Sequence, residues 1–477
     1  MKVIIAGFNL DRDLIDRYIP PEMATPEVIS AAYARISRSS KSAQQLRSDA
    51  LNEIPQARTS NQRIVFEMGH SSIAEHAVFN IDLIGISRYL AEFIQRSRLA
   101  SFTEKSQRYV TFPKDYVVPA DLPDEDRLDY ISLMDDLFGA YHRSITQLVV
   151  GSLSFSDPSV EKISSPSKKE IENRAKEDAR YILPLATKTQ MGMTINARSM
   201  EVLLRRLHSI PLNEAREAYD KLFSAVHSIA PSLIRYTESD EFSSALGVSF
   251  HSTLTAGVGS LSFSDPSSDL VRVIDHSPDP DDRILASILY ERSSYQFADL
   301  LCYVQSLDSQ AKTQLSDKVF VGLKAWHKLP RAFEMTDFTM ELRMSQCCFA
   351  QFKRHRICTM IHQAYQGSGC HILPPQVGEL GMSNHWLELL ARSDELSQRL
   401  YALSPHLAPY CRTNAHSVNV LVRMNLRELY HFVRLRSDVH AQWEIRSISQ
   451  EISRQVRLIC PLTARYLVGK SAFGQID

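Results

Sequence analysis

The 477-residue chain contains no uninterrupted apolar run long enough to span a bilayer, so no membrane partner is expected. Its opening, Met1-Lys2-Val3-Ile4-Ile5-Ala6-Gly7, is too short and too quickly polar for a secretory signal. Net charge is nearly absent: 54 Lys and Arg stand against 55 Asp and Glu. No global field draws the chain to a polyanion, so any phosphate binding must be local and nucleic acid is not an expected partner. Cysteine is missing before Cys302, and the seven in the chain, Cys302 included, are odd in number, which suits a reducing cytoplasm better than a disulfide framework. Cys347-Cys348 lacks the spacer of a redox pair and no His/Cys spacing matches a zinc site; no metal is expected.

What is present is a globular composition, 44% hydrophobic and 23% charged, in a chain long enough for two or three domains. Residues 25–40 read as a helix begun by a Thr cap and a Pro in the first turn. Gly69-His70-Ser71-Ser72-Ile73-Ala74-Glu75-His76 permits a turn with cap-type spacing. Phe79, Ile81 and Leu83 alternate with polar residues at strand period, and from Ile86 the period lengthens to a helix carrying Arg96 and Arg98 at its end. The stretch Gln95 to Tyr109 follows, with Glu104, Ser106, Gln107 and Arg108 expected in a loop. Guanidinium forks suit phosphates, and hydroxyl and amide groups suit a base or sugar.

The same order recurs later. Pro280 to Ser294 echoes 26–40; Phe338, Met340 and Leu342 alternate; Ser345 to His355 reads as a helix leading into Lys353-Arg354-His355-Arg356. Arg96 and Arg354 are 258 positions apart (354 − 96), and Asn196-Ala197-Arg198-Ser199 has a counterpart in Asn425-Leu426-Arg427-Glu428. This predicts an ancient duplication, with domains at 1–250 and 268–477 and a Ser-rich linker at 251–267. Gly-Ser-Leu-Ser-Phe-Ser-Asp-Pro-Ser also occurs identically at 151–159 and 259–267, a turn-prone repeat out of phase with the duplication and without a physical account.

These motifs resemble, twice over, the flavin-dependent thymidylate synthase family. Its signature runs Gly-His-x-Ser-x-x-Glu-His, Arg-His-Arg with x-x-Ser-x-x-Glu-x-Ser-x-Arg-Tyr, and Asn-x-Arg with a terminal Arg before Ala-Gln-x-Glu-Ile. The resemblance implies an α/β (α+β) fold, two tandem domains each a central sheet with long helices. It also implies synthesis of dTMP from dUMP, with methylenetetrahydrofolate as carbon donor, FAD as hydride donor and NADPH as reductant. The fused chain would be a cytoplasmic homodimer that mimics the family's tetramer, with dUMP and folate as its small-molecule partners.

The family's residues are divided between the halves. By resemblance the dUMP-binding set is Glu104, Ser106, Gln107, Arg108, Arg180, Gln351 and Arg436, with Ser106 (an anchoring hydroxyl rather than a nucleophile) and Arg436 at the catalytic step. The FAD set is His70, Ser72, Arg354, His355, Arg356, Asn425, Arg427 and His431. In the first half Ser97 replaces the motif His, Phe93 a Gln, Val202 a polar group, and Leu207 the terminal Arg unless Arg206 substitutes by a shift. Phe93, Val202 and Leu207 are expected to pack on a closed surface. Ala-Gln-x-Glu-Ile has become Leu212-Asn213-Glu214-Ala215-Arg216. In the second half the nucleotide loop is His362-Gln363-Ala364-Tyr365-Gln366, and Gly-His-x-Ser-x-x-Glu-His has eroded to the segment His327 to Glu334. Composite sites between first- and second-type domains would reconcile the losses. The alternative is a non-catalytic flavin- or nucleotide-binding paralogue with a structural or regulatory role.

Overall fold

The computed structural model describes residues 1–11, 24–154, 167–239, 269–363 and 370–475. The expected linker 251–267, the second copy of the nine-residue repeat and most of the first therefore lie outside the described residues, as do Ala364, Tyr365 and Gln366. Two compact units form: Met1–Ser262 with Gln376–Thr413, and Phe263–Pro375 with Asn414–Asp477. Residues 376–413, assigned above to the second domain, thus pack with the first unit. The reason lies in the helix Ser383–Leu403, which buries Trp386, Leu389, Leu390, Leu396 and Leu400 on one side. Trp386 Nε1 donates to Ser144 Oγ at 3.1 Å, and Arg392 and Arg399 reach Asp136 and Asp129 at 2.7 Å each, all on the long helix Asp124–Ser154.

Unit 1 holds an antiparallel sheet of β1 (Lys2–Phe8), β2 (Val78–Ser87), β3 (Ala100–Glu104) and β4 (Lys188–Asn196), ordered β1-β2-β4-β3. Unit 2 repeats it with β5 (Val271–His276), β6 (Asp337–Ser345), β7 (Thr359–His362) and β8 (Ser417–Asn425), ordered β5-β6-β8-β7. Alternation puts Phe79, Ile81 and Leu83, and Phe338, Met340 and Leu342, on the buried faces. The registers align the copies. Val78 pairs with Asn196 as Asp337 pairs with Asn425, and Ser87 pairs with Lys188 as Ser345 pairs with Ser417. The first offset on β2 to β6 is 259 (337 − 78) and the second 258 (345 − 87). The extra residue is a bulge near Gly85, whose φ of 74° favours glycine.

Each strand pair feeds two helices: α1 (Arg88–Ile94) and α2 (Ala197–His208) in unit 1, then α3 (Asn213–His227); α4 (Gln346–Phe352), α5 (Leu426–Arg436) and α6 (Trp443–Ile459) in unit 2. Two expectations need correction. Ile86 belongs to the strand, so α1 begins at Arg88, after the Ser87 cap. Glu104 closes a strand instead of lying in a loop, since β3 pairs with β4 through Glu104 and Met191. The 25–40 helix spans Glu27–Ile36, and Thr25 Oγ1 accepts from the Glu27 amide at 3.2 Å.

Caps match between the copies. Ser87 Oγ accepts from Leu90 N at 2.9 Å and Ser345 Oγ from Cys348 N at 3.0 Å; Asn196 and Asn425 accept from Ser199 N at 2.8 Å and Glu428 N at 2.9 Å. A buried carboxylate then ties each first cap to the next helix. Ser87 N and Oγ both donate to Glu214 at 2.7 Å, and Ser345 N and Oγ donate to Glu444 at 2.7 and 2.5 Å. The segment around Glu214, altered in sequence, therefore keeps its architectural carboxylate.

Candidate functional site

In unit 1 the residues of the nucleotide stretch meet protein partners. Glu104 accepts from Arg88 Nη1 at 3.1 and 2.9 Å, from Gln95 Nε2 at 2.8 Å and from Thr189 Oγ1 at 3.1 Å. A carboxylate has about four lone-pair positions, so Glu104 is saturated, and its side chain is only 8% exposed. Ser106 shapes the turn that follows: its Oγ accepts from Arg108 N at 3.2 Å and its carbonyl from Val110 N at 3.1 Å. Gln107 is buried. Arg108 forms an ion pair with Glu177, and Arg180 Nε donates to the Glu177 carbonyl at 3.1 Å. Arg108 and Arg180 thus both bond Glu177, the first at its carboxylate and the second at its backbone carbonyl.

His70 and Ser72 stand exposed beside Gly69, whose φ of 75° makes the expected turn. Next to them Glu75 and Arg198 form an ion pair. Of the three residues expected to pack on a closed surface, Leu207 is fully buried and Phe93 half-buried beneath Arg96. Val202 is 40% exposed, so it is not closed over. Register also decides the shift: both Asn caps start their helices, which aligns Leu207 with Arg436 and leaves Arg206, exposed, aligned with Leu435.

Unit 2 contains a cavity of about 390 Å³ whose walls include Trp326, His327, Glu334, Asn425, Arg427 and His431. Arg427 donates through Nε to the Leu329 carbonyl at 2.7 Å and through Nη1 to Glu334 at 2.8 Å, the counterpart of the Glu75–Arg198 pair. The eroded segment His327 to Glu334 therefore still builds the wall. Three expected flavin residues, Asn425, Arg427 and His431, are brought together here; Arg354 and Arg356 are exposed on the turn after α4, and Ile357 lines the cavity in their place.

His355 is buried behind that wall. Arg436 Nε donates to His355 Nε2 at 3.0 Å, and Arg436 Nη2 donates to the Gln351 carbonyl at 3.1 Å. An Nε2 that accepts leaves the proton of the neutral ring on Nδ1, which lies 3.6 Å from Glu428 Oε1. Burial holds the imidazole below its ordinary pKa, against the pull of Glu428 and with the help of Arg436. Gln351 Nε2 is buried without an acceptor.

Reading the motifs alone missed Trp326 and Glu428, and weighed Arg434 only as a contact to RNA. Trp326 is 75% exposed on the cavity wall. Arg434 donates through Nη1 to the His327 carbonyl while its Nε and Nη2 are buried without acceptors. Its counterpart Arg205 is satisfied by Glu201 and the Tyr236 carbonyl. Tyr430 occupies the register position of Glu201, a replacement visible in sequence once the offset is known.

The thymidylate synthase complementing protein family model matches residues 21–232 and 272–462. The chain belongs to this family, the flavin-dependent thymidylate synthases, in two tandem copies. Among flavin-dependent thymidylate synthases so named, that of Clostridium tetani is 29% identical over 216 residues, covering 44% of this chain and 82% of that enzyme. A UPF0159 protein of Chlamydia muridarum is 24% identical over 425 residues, 85% of this chain and 80% of its own length. A solved structure of the Helicobacter pylori flavin-dependent thymidylate synthase, complexed with FAD and dUMP, is 20% identical with a TM-score of 0.31. It matches 49% of this chain and all of that one. The two stretches matched by the family model make the chain two thymidylate synthase-like domains of mixed helix and sheet. No described helix is long and apolar enough to cross a membrane.

Proposed function

We propose that the chain makes dTMP from dUMP, with methylenetetrahydrofolate as carbon donor, reduced FAD as hydride donor and NADPH as the reductant that recharges it. The observation that carries this reading is the cluster in unit 2, where Arg436, His355 and Gln351 adjoin a cavity walled by Asn425, Arg427 and His431. The groups suit their ligands. The cavity is of ligand-binding size and offers an exposed indole for a planar ring. Arg434, with two buried nitrogens lacking acceptors, suits an anionic group nearby. Gln351 Nε2 offers a buried donor for a nucleotide.

Bound FAD would supply the hydride; the chain's own residues hold and orient. Asn425, Arg427 and His431 bind the flavin cofactor together with Arg354 and Arg356, and His70 and Ser72 are contributed by the other type of domain. His355 holds Arg436 toward the nucleotide phosphate. Ser106, Gln107, Arg108, Arg180 and Glu104 of a first-type domain supply the remaining dUMP contacts to a second-type domain in a homodimer. Fixed charges positioned before the reaction are the main catalytic resource of such a site.

A second reading has its own observation. Glu177 already neutralises Arg108, and Glu104 is saturated by protein donors, as suits a paralogue that binds flavin without turnover. Assay of dTMP formation by FAD-loaded protein, supplied with dUMP, methylenetetrahydrofolate and NADPH, decides between them. Product supports the enzyme. A yellow, flavin-binding protein that forms no product refutes the enzymatic reading and supports the paralogue.

A further inference from the structure

Among the residues that keep their identity at the duplication's offsets are Glu75 and Glu334, Ser87 and Ser345, Asn196 and Asn425, Arg198 and Arg427, and Glu214 and Glu444. Each performs the same task in both copies, a cap, a clamp or an ion pair. Three other positions change together. His355 corresponds to Ser97, Arg436 to Leu207, and Glu428 to Ser199. In unit 2 these three form one chain of contacts, Glu428 Oε1 to His355 Nδ1 at 3.6 Å and His355 Nε2 from Arg436 Nε at 3.0 Å. In unit 1 the corresponding Leu207 and Ser97 are buried, and Leu207 brings no charge to the position of Arg436.

The cap does not explain Glu428. Asn425 bonds the backbone N–H of residue 428, which any side chain leaves in place. A carboxylate here is otherwise expensive, because its side chain is only 8% exposed and no Lys or Arg pairs with it among the described residues. Its charge therefore has to be returned by what it faces. It faces the Nδ1 edge of a buried imidazole whose other nitrogen carries an arginine, and it also lines the cavity.

We propose that Glu428 is a positioning residue for Arg436, acting through His355. Its carboxylate faces Nδ1–H across 3.6 Å, favours the proton on that nitrogen electrostatically, and so keeps Nε2 as the acceptor that aims the guanidinium. Because Glu428 stands on the cavity wall, whatever fills the cavity is linked to the anion that Arg436 receives. The claim about Arg436's anion rests on the proposed dUMP reading; the claim about the imidazole does not.

Two measurements test it on the full-length protein. With ¹⁵N-labelled histidine, the His355 signals, assigned by their loss in His355→Gln, report the tautomer without any ligand. The parent should show a protonated Nδ1 and an accepting Nε2, and Glu428→Ala should shift or broaden both. In calorimetric titration with dUMP, Glu428→Ala should weaken binding about tenfold, the scale of one hydrogen bond. Glu428→Gln, whose amide oxygen can accept from Nδ1–H, should return it to within about threefold of the parent. The proposal is overturned by an Nε2-protonated ring in the parent, by unchanged imidazole signals in Glu428→Ala, or by equal weakening in Ala and Gln. A parent that shows the predicted tautomer but binds no dUMP sinks the functional reading and leaves the Glu428–His355 contact standing.

Discussion

Glu214 offers the sharpest test of the clamp that both copies share. Its carboxylate accepts from Ser87 N and Ser87 Oγ at 2.7 Å each and from the Tyr410 hydroxyl. Ser87 and Tyr410 are essentially buried. Glu214→Ala strands the Ser87 amide and the Tyr410 hydroxyl, and each buried group left without a partner costs about 1–3 kcal/mol. A loss of about 3–5 kcal/mol is expected, since the hydroxyl can relax a little and the amide cannot. For a unit of this size that lowers the melting midpoint by about 6–20 °C. Glu214→Gln behaves differently: its oxygen accepts from the Ser87 amide while its NH₂ donates to rotated hydroxyls, so about 1 kcal/mol is lost. Burial raises the carboxyl's pKa above its ordinary value, against the lowering effect of Tyr410 and Ser87. The parent's contribution from this group is therefore complete below about pH 4.3, the unfolded value, and declines as pH rises through the folded one. The Gln penalty should accordingly be larger at pH 4 than at pH 7. Melting followed by circular dichroism, with hydrogen exchange at the Ser87 and Leu90 amides, measures both. An Ala variant that melts within 2 °C of the parent would refute the clamp.

Three further outcomes are expected. Arg108→Ala and Arg436→Ala, each removing a charge-assisted donor worth about 1.5–3 kcal/mol, should each weaken dUMP binding about tenfold to a hundredfold in calorimetric titration. His355 is held neutral by burial among Glu428, Arg436 and His431. Stability should fall as pH drops from about 6.5, the unfolded value, toward the depressed folded one, and His355→Gln should flatten that slope in urea titrations. Trp326→Ala should weaken FAD binding by about tenfold, as loss of one stacked ring does, with little change in melting temperature because the indole is already 75% exposed. Flavin fluorescence quenching reads that effect.

The strands and caps were open to sequence reading because their physics is local. Phe79, Ile81 and Leu83 alternate, Ser87 and Asn196 cap, and their later counterparts repeat the pattern. Boundaries shifted where tertiary pairing overrode periodicity: Ile86 looks helical by spacing but pairs with Thr189 across the bulge. The partition of the chain was hidden, because the destination of the helix Ser383–Leu403 depends on Trp386 and Ser144 meeting across 242 positions. The site was legible in part. Asn425, Arg427 and His431 form one wall, as motif order suggested, whereas the saturation of Glu104 by Arg88, Gln95 and Thr189 needs coordinates.

The duplication separates two kinds of constraint that a single-copy protein confounds. Some residues kept in both copies do architectural work: Glu214 and Glu444 clamp buried serines, and Glu75 and Glu334 neutralise an arginine at the head of the following helix. Where only one copy keeps a residue, folding did not require it. Leu207 shows this most directly. It fills the register position of Arg436 with a fully buried apolar side chain, and the helix carrying it buries Ala197, Met200, Leu203 and Leu204 on the same face. Arg436 occupies that position at a cost in desolvation that α5 has to offset with His355 and the Gln351 carbonyl. A chain retains such an arrangement in one copy, after discarding it in the other, when something other than stability maintains it. On that argument unit 2 carries the arginine for a ligand, and Leu207→Arg without Ser97→His and Ser199→Glu should unfold unit 1 rather than restore a site.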